Sequence, residues 1–220
     1  MPKVLSDTEI LDFQDRLCDV AERLFASQGL EAVTIRQLAS ALGVSPMTPY
    51  RYFKDKDAIL AAVRARAFGR HADALERAYA ASERAARAAT VAEAYVRFAL
   101  ENPEAYKLMF DIRQPTEGDY PDLVRAGERS RQTMMLQLQD EIADGRIVGD
   151  PVLIAHMYWA ALHGPIMLQF SGMLPRGLDA RTLALMLLST LDRGTLIQNP
   201  AAAPRIPTPA LPPKSLSIDC

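Results

Sequence analysis

The stretch that decides the fold spans residues 34–45 and reads Thr34-Ile35-Arg36-Gln37-Leu38-Ala39-Ser40-Ala41-Leu42-Gly43-Val44-Ser45. Leu38, Ala39 and Leu42 share one helical face, with a small alanine where a second helix can cross. Gly43 permits a tight turn, and Val44 fills the small core beneath it. The serine that follows is placed to cap a further helix. The pattern predicts a helix-turn-helix, in which the second helix presents its N-terminal turn to a DNA major groove.

Capping residues mark helix boundaries on either side of this stretch. Residues 6–9, Ser-Asp-Thr-Glu, form a capping box before an apolar stripe, and Gly29 is placed to end that first helix. Thr34 and Gln37 form a second capping box. Ser45-Pro46 predicts a third helix with proline at its first position. The N-terminal part is therefore predicted to contain three short helices.

The remainder of the chain also reads as helical, without convincing period-2 alternation or a hairpin dipeptide. Further helices are predicted over 56–81, with an alanine-rich, broken extension to 89, and over 91–100, from 102, and over 121–144, 151–171 and 179–198. A loop is predicted at 114–121. The fold class is all-α: an N-terminal three-helix helix-turn-helix DNA-binding domain (1–55), a C-terminal helical bundle for ligand binding and dimerisation (56–199), and a Pro/Ala-rich flexible tail (200–220).

Composition is that of an ordinary globular protein, with 49% hydrophobic and 24% charged residues. The first residues lack a signal peptide's apolar core, and no apolar run is expected to be long enough to span a bilayer. We therefore expect a cytoplasmic protein with no membrane partner. Cys18 and Cys220 form neither a disulfide framework nor a zinc-ligand spacing. Cys18 is expected to pack as a small hydrophobe, with a redox role as the second interpretation.

Charge is distributed unevenly along the chain. The overall charge of −2 does not suggest nucleic acid. Between Thr34 and Arg70, however, seven cations and two anions leave +5, so the rest of the chain carries −7. A basic segment in an acidic chain can face phosphates, although a solvated helix face explains charge alone equally well.

The stretch at 34–45 continues into a longer motif, Thr48-Pro49-Tyr50-Arg51-Tyr52-Phe53-Lys54-Asp55-Lys56-Asp57-Ala58-Ile59-Leu60. Together they resemble the N-terminal signature of the TetR family of regulators, over roughly residues 10–65. The resemblance implies a homodimeric transcription regulator, a repressor, that binds a double-stranded DNA operator. A small-molecule effector releases the protein from DNA, and no cofactor is implied.

The resemblance also implies which residues touch DNA. Positions that usually contact phosphates are matched by Thr34, Tyr50, Tyr52 and Lys56. Positions that can reach base edges are matched by Arg36, Gln37, Met47, Thr48 and Arg51, and Ser45 completes the predicted DNA-binding set. Lys56 as a solvated charge and the tyrosines as core aromatics are the alternatives.

Two residues depart from the family pattern. Met47 stands where the family often has glycine, and its apolar side chain could meet a thymine methyl. Pro49 stands where the family often has leucine, and its missing N–H costs a backbone hydrogen bond. The acidic first helix argues against a basic arm in the minor groove.

The C-terminal part carries weaker signals. Residues 98–110 and 158–164 resemble ligand-domain segments of one TetR subgroup, the second containing its Trp-His-Gly signature. The helix from Pro151 is apolar almost all round, and the helix from Asp179 is rich in leucine. A four-helix interface between two copies would cover both. It is predicted to include Leu183, Leu187 and Leu191, although an intramolecular core would explain about half of such residues.

An apolar effector pocket is predicted around Gly164-Pro165, where proline should interrupt the helix and free a carbonyl. His163 is the predicted polar handle, with a merely structural histidine as the alternative. The predicted lining consists of Phe98, Tyr106, Met109, Phe110, Met134, Trp159, His163 and Met167. For each of these, a place in the ordinary core is the competing interpretation.

Other function classes fit less well. His71, His156 and His163 offer no metal cluster, and the chain lacks a phosphate loop, a nucleophile elbow and an HExxH motif. We therefore expect no enzyme. An all-helical adaptor, a small-molecule-binding protein without a DNA role and a helical enzyme are the alternatives. Salt-dependent, sequence-selective DNA binding would distinguish a regulator from all three.

Overall fold

Capping boxes begin the first two helices of the computed structural model, which describes residues 6–110, 120–145, 147 and 149–195. The Ser6 side chain accepts a hydrogen bond from Glu9 N, and the Glu9 carboxylate accepts one from Ser6 N at 2.9 Å. Thr34 and Gln37 repeat the arrangement at the second helix. Gly29 ends the first helix with φ +84°, a conformation that favours glycine. These predicted boundaries are confirmed.

The described residues form eight α-helices. They are α1 (Asp7–Gln28), α2 (Ile35–Ala41), α3 (Lys56–Ala81), α4 (Arg87–Glu101), α5 (Pro103–Met109), α6 (Pro121–Ala143), α7 (Pro151–Phe170) and α8 (Ala180–Thr195). The all-α prediction is confirmed, and α3 has the predicted bounds. A short 3-10 turn, Arg84–Ala86, forms the predicted break before α4, which begins at Arg87 rather than at Val91.

The third helix of the predicted helix-turn-helix is the main local correction. The chain does not continue as an α-helix from Pro46; it makes a turn and then a 3-10 helix, Pro49–Arg51. Pro49 has no N–H to donate to the Ser45 carbonyl. Thr48 N instead donates to that carbonyl at 2.8 Å, and Tyr52 N donates to the Pro49 carbonyl at 3.0 Å. Without the Pro49 N–H, the first bonds of this segment span three residues, and an i+4 bond returns where Phe53 N donates to the Pro49 carbonyl at 3.0 Å.

The described chain divides into two compact units. The first comprises residues 6–74, 98–110 and 120–130. Its core joins α1, α2, the start of α3 and Leu108 of α5, around Leu17, Leu38 and Ile59, each with 0% exposure. Cys18 belongs to this core at 2% exposure, which confirms its predicted packing. A buried cation, Arg64, donates from Nε to the Leu108 carbonyl at 2.7 Å.

The second unit comprises residues 75–97, 131–145, 147 and 149–195. Here α7 packs along α8, and a small cluster of Leu138, Ile147 and Ile154 joins α6 to α7. Helix α7 runs through Pro165, as the predicted helix over 151–171 does, and the kink expected at Gly164-Pro165 stays a prediction. One missing N–H therefore does not end this 20-residue helix.

Helix α7 also corrects the expectation about membrane-spanning length. It has 20 residues and contains an 18-residue window with a mean hydropathy of 1.2, so by length and composition alone it could cross a membrane. Core helices pass the same test because they too are apolar on all sides. Only 28% of the apolar window is buried within the described chain. Helix α7 therefore leaves an apolar face exposed on the described chain, and contact with another apolar surface would stabilise it.

Some predictions fall outside the described residues. They are most of the loop at 114–121, the last residues of the helix predicted to end at 198, the tail at 200–220 and Cys220.

Candidate nucleic-acid interface and cavity

The segment after α2 is fastened to the core of the first unit by its aromatic and proline residues. The Tyr52 ring stacks on Phe13, with centroids 4.2 Å apart and planes inclined by 25°. Pro49 is buried, and Phe53 packs against the same core. The Tyr52 ring therefore packs against the core of the first unit.

The same segment exposes the side chains between these anchors. Tyr50 is 50% exposed and Met47 is 68% exposed, and Arg51 also faces outward. Ser45 is exposed as well, and its hydroxyl accepts a hydrogen bond from Met47 N at 3.4 Å. Thr48 is half-buried. The buried Pro49 and the half-buried Tyr52 side chains hold the segment in place, and the exposed Met47, Tyr50 and Arg51 side chains form its contact surface.

The two residues that begin α2 are already engaged with each other. Gln37 Oε1 accepts from both N and Oγ1 of Thr34 at 2.8 Å, and Gln37 Nε2 donates to Gln28 Oε1 at 3.4 Å. Base reading by Gln37 would therefore compete with the cap that it makes. Arg36 is exposed between them, and no partner of its guanidinium is found among the described residues.

Lys56 is also engaged locally. Its ammonium donates to the carbonyl of Leu30 at 2.8 Å and to that of Val33 at 3.2 Å. These bonds tie the start of α3 to the connection between α1 and α2. A sequence pattern does not reveal them, because the acceptors lie on the backbone more than twenty residues away.

Three of the seven cations in the basic segment are engaged with groups of the first unit itself. Arg64 is only 1% exposed. Arg66 donates to Asp19 at 2.8 Å, and Arg70 donates to Glu22 at 2.8 Å. The acidic face of α1 thus neutralises two arginines of α3. The exposed positive charge is concentrated on Arg36, Arg51 and Lys54.

The eight predicted pocket residues are divided between the two units. In the first, Phe98, Tyr106 and Met109 are buried, and the half-buried Phe110 ring lies 4.9 Å from the Tyr106 ring and 5.6 Å from the Phe68 ring. The rings of Phe68, Tyr106 and Phe110 thus form an aromatic cluster between α3 and the end of α5.

A buried histidine in the same unit was not singled out by the sequence. His71 Nδ1 lies 2.7 Å from Ser130 Oγ, and its ring meets Phe98 edge-on at 5.0 Å. Burial lowers the pKa of His71 from 6.5 to about 3, because the charged ring would lose its hydration. The imidazole is therefore neutral at pH 7.

In the second unit, Met134 and Met167 are half-buried, and Trp159 is 36% exposed. The Trp159 indole Nε1 donates to the hydroxyl of Tyr95 at 3.0 Å, and its ring lies 5.3 Å from the ring of His163. Burial lowers the pKa of His163, which is half-buried.

The second unit contains a cavity of about 490 Å³ between α4, α6, α7 and α8. Among the described lining residues, Met134 is the only one of the eight predicted pocket residues. Trp159 reaches the cavity indirectly, since Tyr95 lines it. The volume lies within the range of small-molecule sites.

The predicted dimer residues lie along α8. Leu187 is 38% exposed, whereas Leu183 and Leu191 are half-buried. Apolar exposure continues on the same helix at Met186, at 61%, and on α7 at Val152 and Leu153, at 46% and 41%. The two packed helices thus leave a broad apolar surface on the described chain.

A capped α2, a tight turn and the 3-10 segment with exposed Tyr50 and Arg51 correspond to a helix-turn-helix, whose second element enters the major groove. Comparison with known proteins agrees with this class. Residues 17–63 match the family described as bacterial regulatory proteins, tetR family, and residues 88–191 match the tetracyclin repressor-like C-terminal domain. The chain belongs to the TetR family of transcriptional regulators. Regulators of this family bind DNA operators and are generally not enzymes.

Individual relatives share the fold over most of the chain. A protein of unknown function from a Rhodococcus species is 31% identical, covers 89% of this chain and 99% of its own, and superposes with a TM-score of 0.74. PfmR, a TetR family transcriptional regulator from Thermus thermophilus, is 23% identical over 81% of this chain and 98% of its own, with a TM-score of 0.65. An uncharacterised helix-turn-helix transcriptional regulator of Mycobacterium tuberculosis is 26% identical over 147 residues. The aligned part covers 67% of this chain and 65% of that relative's length.

Proposed function

We propose that this chain binds a pseudo-palindromic DNA operator as a homodimer and represses transcription until a small, mostly apolar effector releases it. The observation that carries the proposal is the exposed set of Met47, Tyr50 and Arg51 on a segment anchored by Tyr52 and Pro49. Exposed groups on a rigid support lose little conformational freedom on binding. Arg36 and Lys54 add positive charge for phosphates.

The proposed organisation assigns DNA binding to residues 1–55, effector binding and dimerisation to 56–199, and a flexible tail to 200–220. Two copies would pair through α7 and α8, which explains their exposed apolar residues. We place the protein in the cytoplasm, where operator DNA is found, and assign it no enzymatic activity and no cofactor.

The proposed release mechanism uses α3. This helix begins at Lys56, shortly after residues 45–53, which we call the recognition segment, and continues to Ala81. An effector that binds more tightly to one tilt of α3 shifts the spacing of the two recognition segments in the dimer. Both segments must meet the operator together, so a small shift in spacing weakens binding.

The experiment that tests the proposal is selection of bound sequences from a random DNA pool, with and without candidate effectors. Recovery of a two-fold symmetric motif, followed by footprinting of both half-sites, supports a dimeric regulator. Footprinting of one asymmetric half-site by a monomer contradicts it. Binding must also weaken with salt, because contacts to phosphates release counterions.

Two substitutions test the recognition segment on the selected operator. Arg51→Ala should cost roughly 1–3 kcal/mol if the guanidinium contacts a base edge, and Tyr50→Phe should weaken binding by removing only a hydroxyl. Arg16→Ala is the control, because Arg16 is an exposed arginine of α1 paired with Asp12. Equal affinity of the Arg51 and Arg16 variants would remove Arg51 from the interface.

A further inference from the structure

The cavity of the second unit has a mixed lining that indicates the chemistry of its occupant. Small and aliphatic side chains such as Ala88, Ala92 and Leu162 form most of the wall. Its polar groups are the hydroxyls of Tyr95, Tyr158 and Ser189, the Gln137 amide and two carboxylates. The carboxylates are Glu141 on α6 and Asp192 on α8. An apolar body with one or two polar anchors fits such a wall.

The charge of this wall has one sign. Among its described lining residues, none is a lysine, an arginine or a histidine. Two arginines near the start of α4, Arg84 and Arg87, do not line the cavity, because they pair with Asp140 and Asp144. Asp192 accepts a hydrogen bond from Tyr158, which holds the carboxylate on the α7 side of α8. The charged groups among the described lining residues are thus acidic, which favours a cation over an anion.

We propose that the effector of this regulator is a lipophilic organic cation that occupies the cavity between Glu141 and Asp192. This inference rests on the proposed effector-controlled DNA binding and names the ligand class and the site. The apolar wall buries the ligand's hydrocarbon or aromatic groups, and the two carboxylates offset the cost of removing its charge from water. An anion of the same size is rejected by the same two groups.

The position of the cavity on α8 connects it to the proposed dimer surface. At about 100° per residue, the cavity residues Leu185, Ser189 and Asp192 lie on a different face of α8 from Leu183 and Leu187. In the proposed dimer, an occupant and the partner subunit would therefore contact different faces of α8. A ligand that displaces α8 therefore changes the pairing on which the spacing of the two recognition segments depends.

The protein contains its own reporter for occupancy. Trp159 is the single tryptophan of the chain, and its indole N–H bonds to the hydroxyl of Tyr95, a lining residue. A ligand that displaces Tyr95 changes the environment of the indole. Tryptophan fluorescence thus reports on the cavity without requiring DNA.

The test uses the full chain and two ions of matched size and opposite charge, tetraphenylphosphonium and tetraphenylborate, followed by fluorescence and calorimetry. Tetraphenylphosphonium should bind at least about tenfold more tightly than tetraphenylborate, a difference of about 1.4 kcal/mol. Glu141→Gln and Asp192→Asn should each weaken cation binding about fivefold, the effect of a partly screened ion pair. Glu83→Gln, an exposed carboxylate outside the lining, should leave it unchanged.

Two substitutions that differ in their position relative to the cavity test where the cation binds. Ala88→Leu places three extra carbons in the cavity and should abolish the fluorescence change, whereas Ala86→Leu, outside the lining, should not. Equal binding of both ions, or binding insensitive to Ala88→Leu, overturns the proposal. If the chain selects operator DNA but ignores tetraphenylphosphonium, only this inference fails. If no DNA is selected, the proposed regulator fails, and the fluorescence result still decides whether the cavity takes cations.

Discussion

The ammonium of Lys56 donates a 2.8 Å hydrogen bond to the carbonyl of Leu30, and a second bond of 3.2 Å to the carbonyl of Val33. The lysine at the start of α3 thereby satisfies two backbone acceptors in the connection between α1 and α2. It is also the residue for which the family resemblance implies a phosphate contact. Its structural and DNA-binding contributions can be separated by experiment, because they affect different measurements.

Lys56→Met should lower the free energy of unfolding by roughly 2 kcal/mol, since it removes charge-assisted hydrogen bonds from two half-buried carbonyls. Lys54→Met is the matched comparison, because Lys54 is exposed two residues earlier. The free energy of unfolding of the Lys54→Met variant should equal that of the wild type. If each lysine contacts one phosphate, each variant should reduce the salt slope of DNA binding by about one unit.

Denaturant unfolding and operator titrations at several salt concentrations distinguish the outcomes. A Lys56 variant that keeps wild-type stability would show that the hydrogen bonds to the Leu30 and Val33 carbonyls do not stabilise the fold. One that loses stability but keeps the full salt slope shows that the lysine acts on folding alone.

Capping chemistry made much of the fold predictable, because a cap is a local contact between residues three apart. Thr34 and Gln37 signal the start of α2 in any structural context. The break before α4 and the proline-led start of α5 are equally local. In contrast, the sequence predicted an α-helix from Pro46, where Pro49 removes the N–H that the first turn requires.

The site was less predictable, because it depends on distant partners. No spacing rule predicts that Arg66 and Arg70 pair with Asp19 and Glu22 across nearly fifty residues. The basic segment consequently looks more strongly charged in sequence than at the surface. The cavity depends on four helices, and a list of large apolar residues does not predict it. Its space arises where alanines such as Ala88 leave room.

His71 should make stability depend on pH. Its pKa falls to about 3 in the folded chain, against 6.5 for an ordinary histidine. Between those values the unfolded chain binds more protons, so this contribution is complete above pH 6.5 and is lost as pH falls toward 3. The loss approaches about 1.4 kcal/mol per pH unit within that window.

Urea unfolding between pH 7.5 and about 4.5 measures this dependence. His71→Gln should flatten the curve, because a glutamine of similar size can bond Ser130 without taking up a proton. The exposed His156 provides the control, since His156→Gln should leave the slope unchanged. An unaltered slope in the His71 variant would assign the pH dependence to other groups.

Leu187→Asp should convert the proposed dimer to a folded monomer with little operator affinity. Leu187 is 38% exposed on the described chain, so aspartate is tolerated in a monomer, but it would be buried without a partner in the α7–α8 interface. Leu136→Asp is the matched control, because Leu136 is 42% exposed on α6. Sedimentation velocity at low protein concentration, with circular dichroism for folding, decides. A folded Leu187 variant that stays dimeric places the interface elsewhere.

His163→Ala should keep operator affinity and abolish the response to the effector. Burial lowers the pKa of His163, so the ring is neutral at pH 7. Its ring lies 5.3 Å from that of Trp159, whose indole bonds to Tyr95 of the cavity wall, so the histidine can also act by positioning the tryptophan. His156→Ala is the control, because His156 is exposed on the same helix.

Operator affinity is measured with and without the effector, and thermal unfolding and dimer content are followed in parallel. Preserved DNA binding with lost release supports a role in the effector response. Loss of folding or dimerisation assigns His163 a structural role in α7, and unchanged release removes it from the effector site.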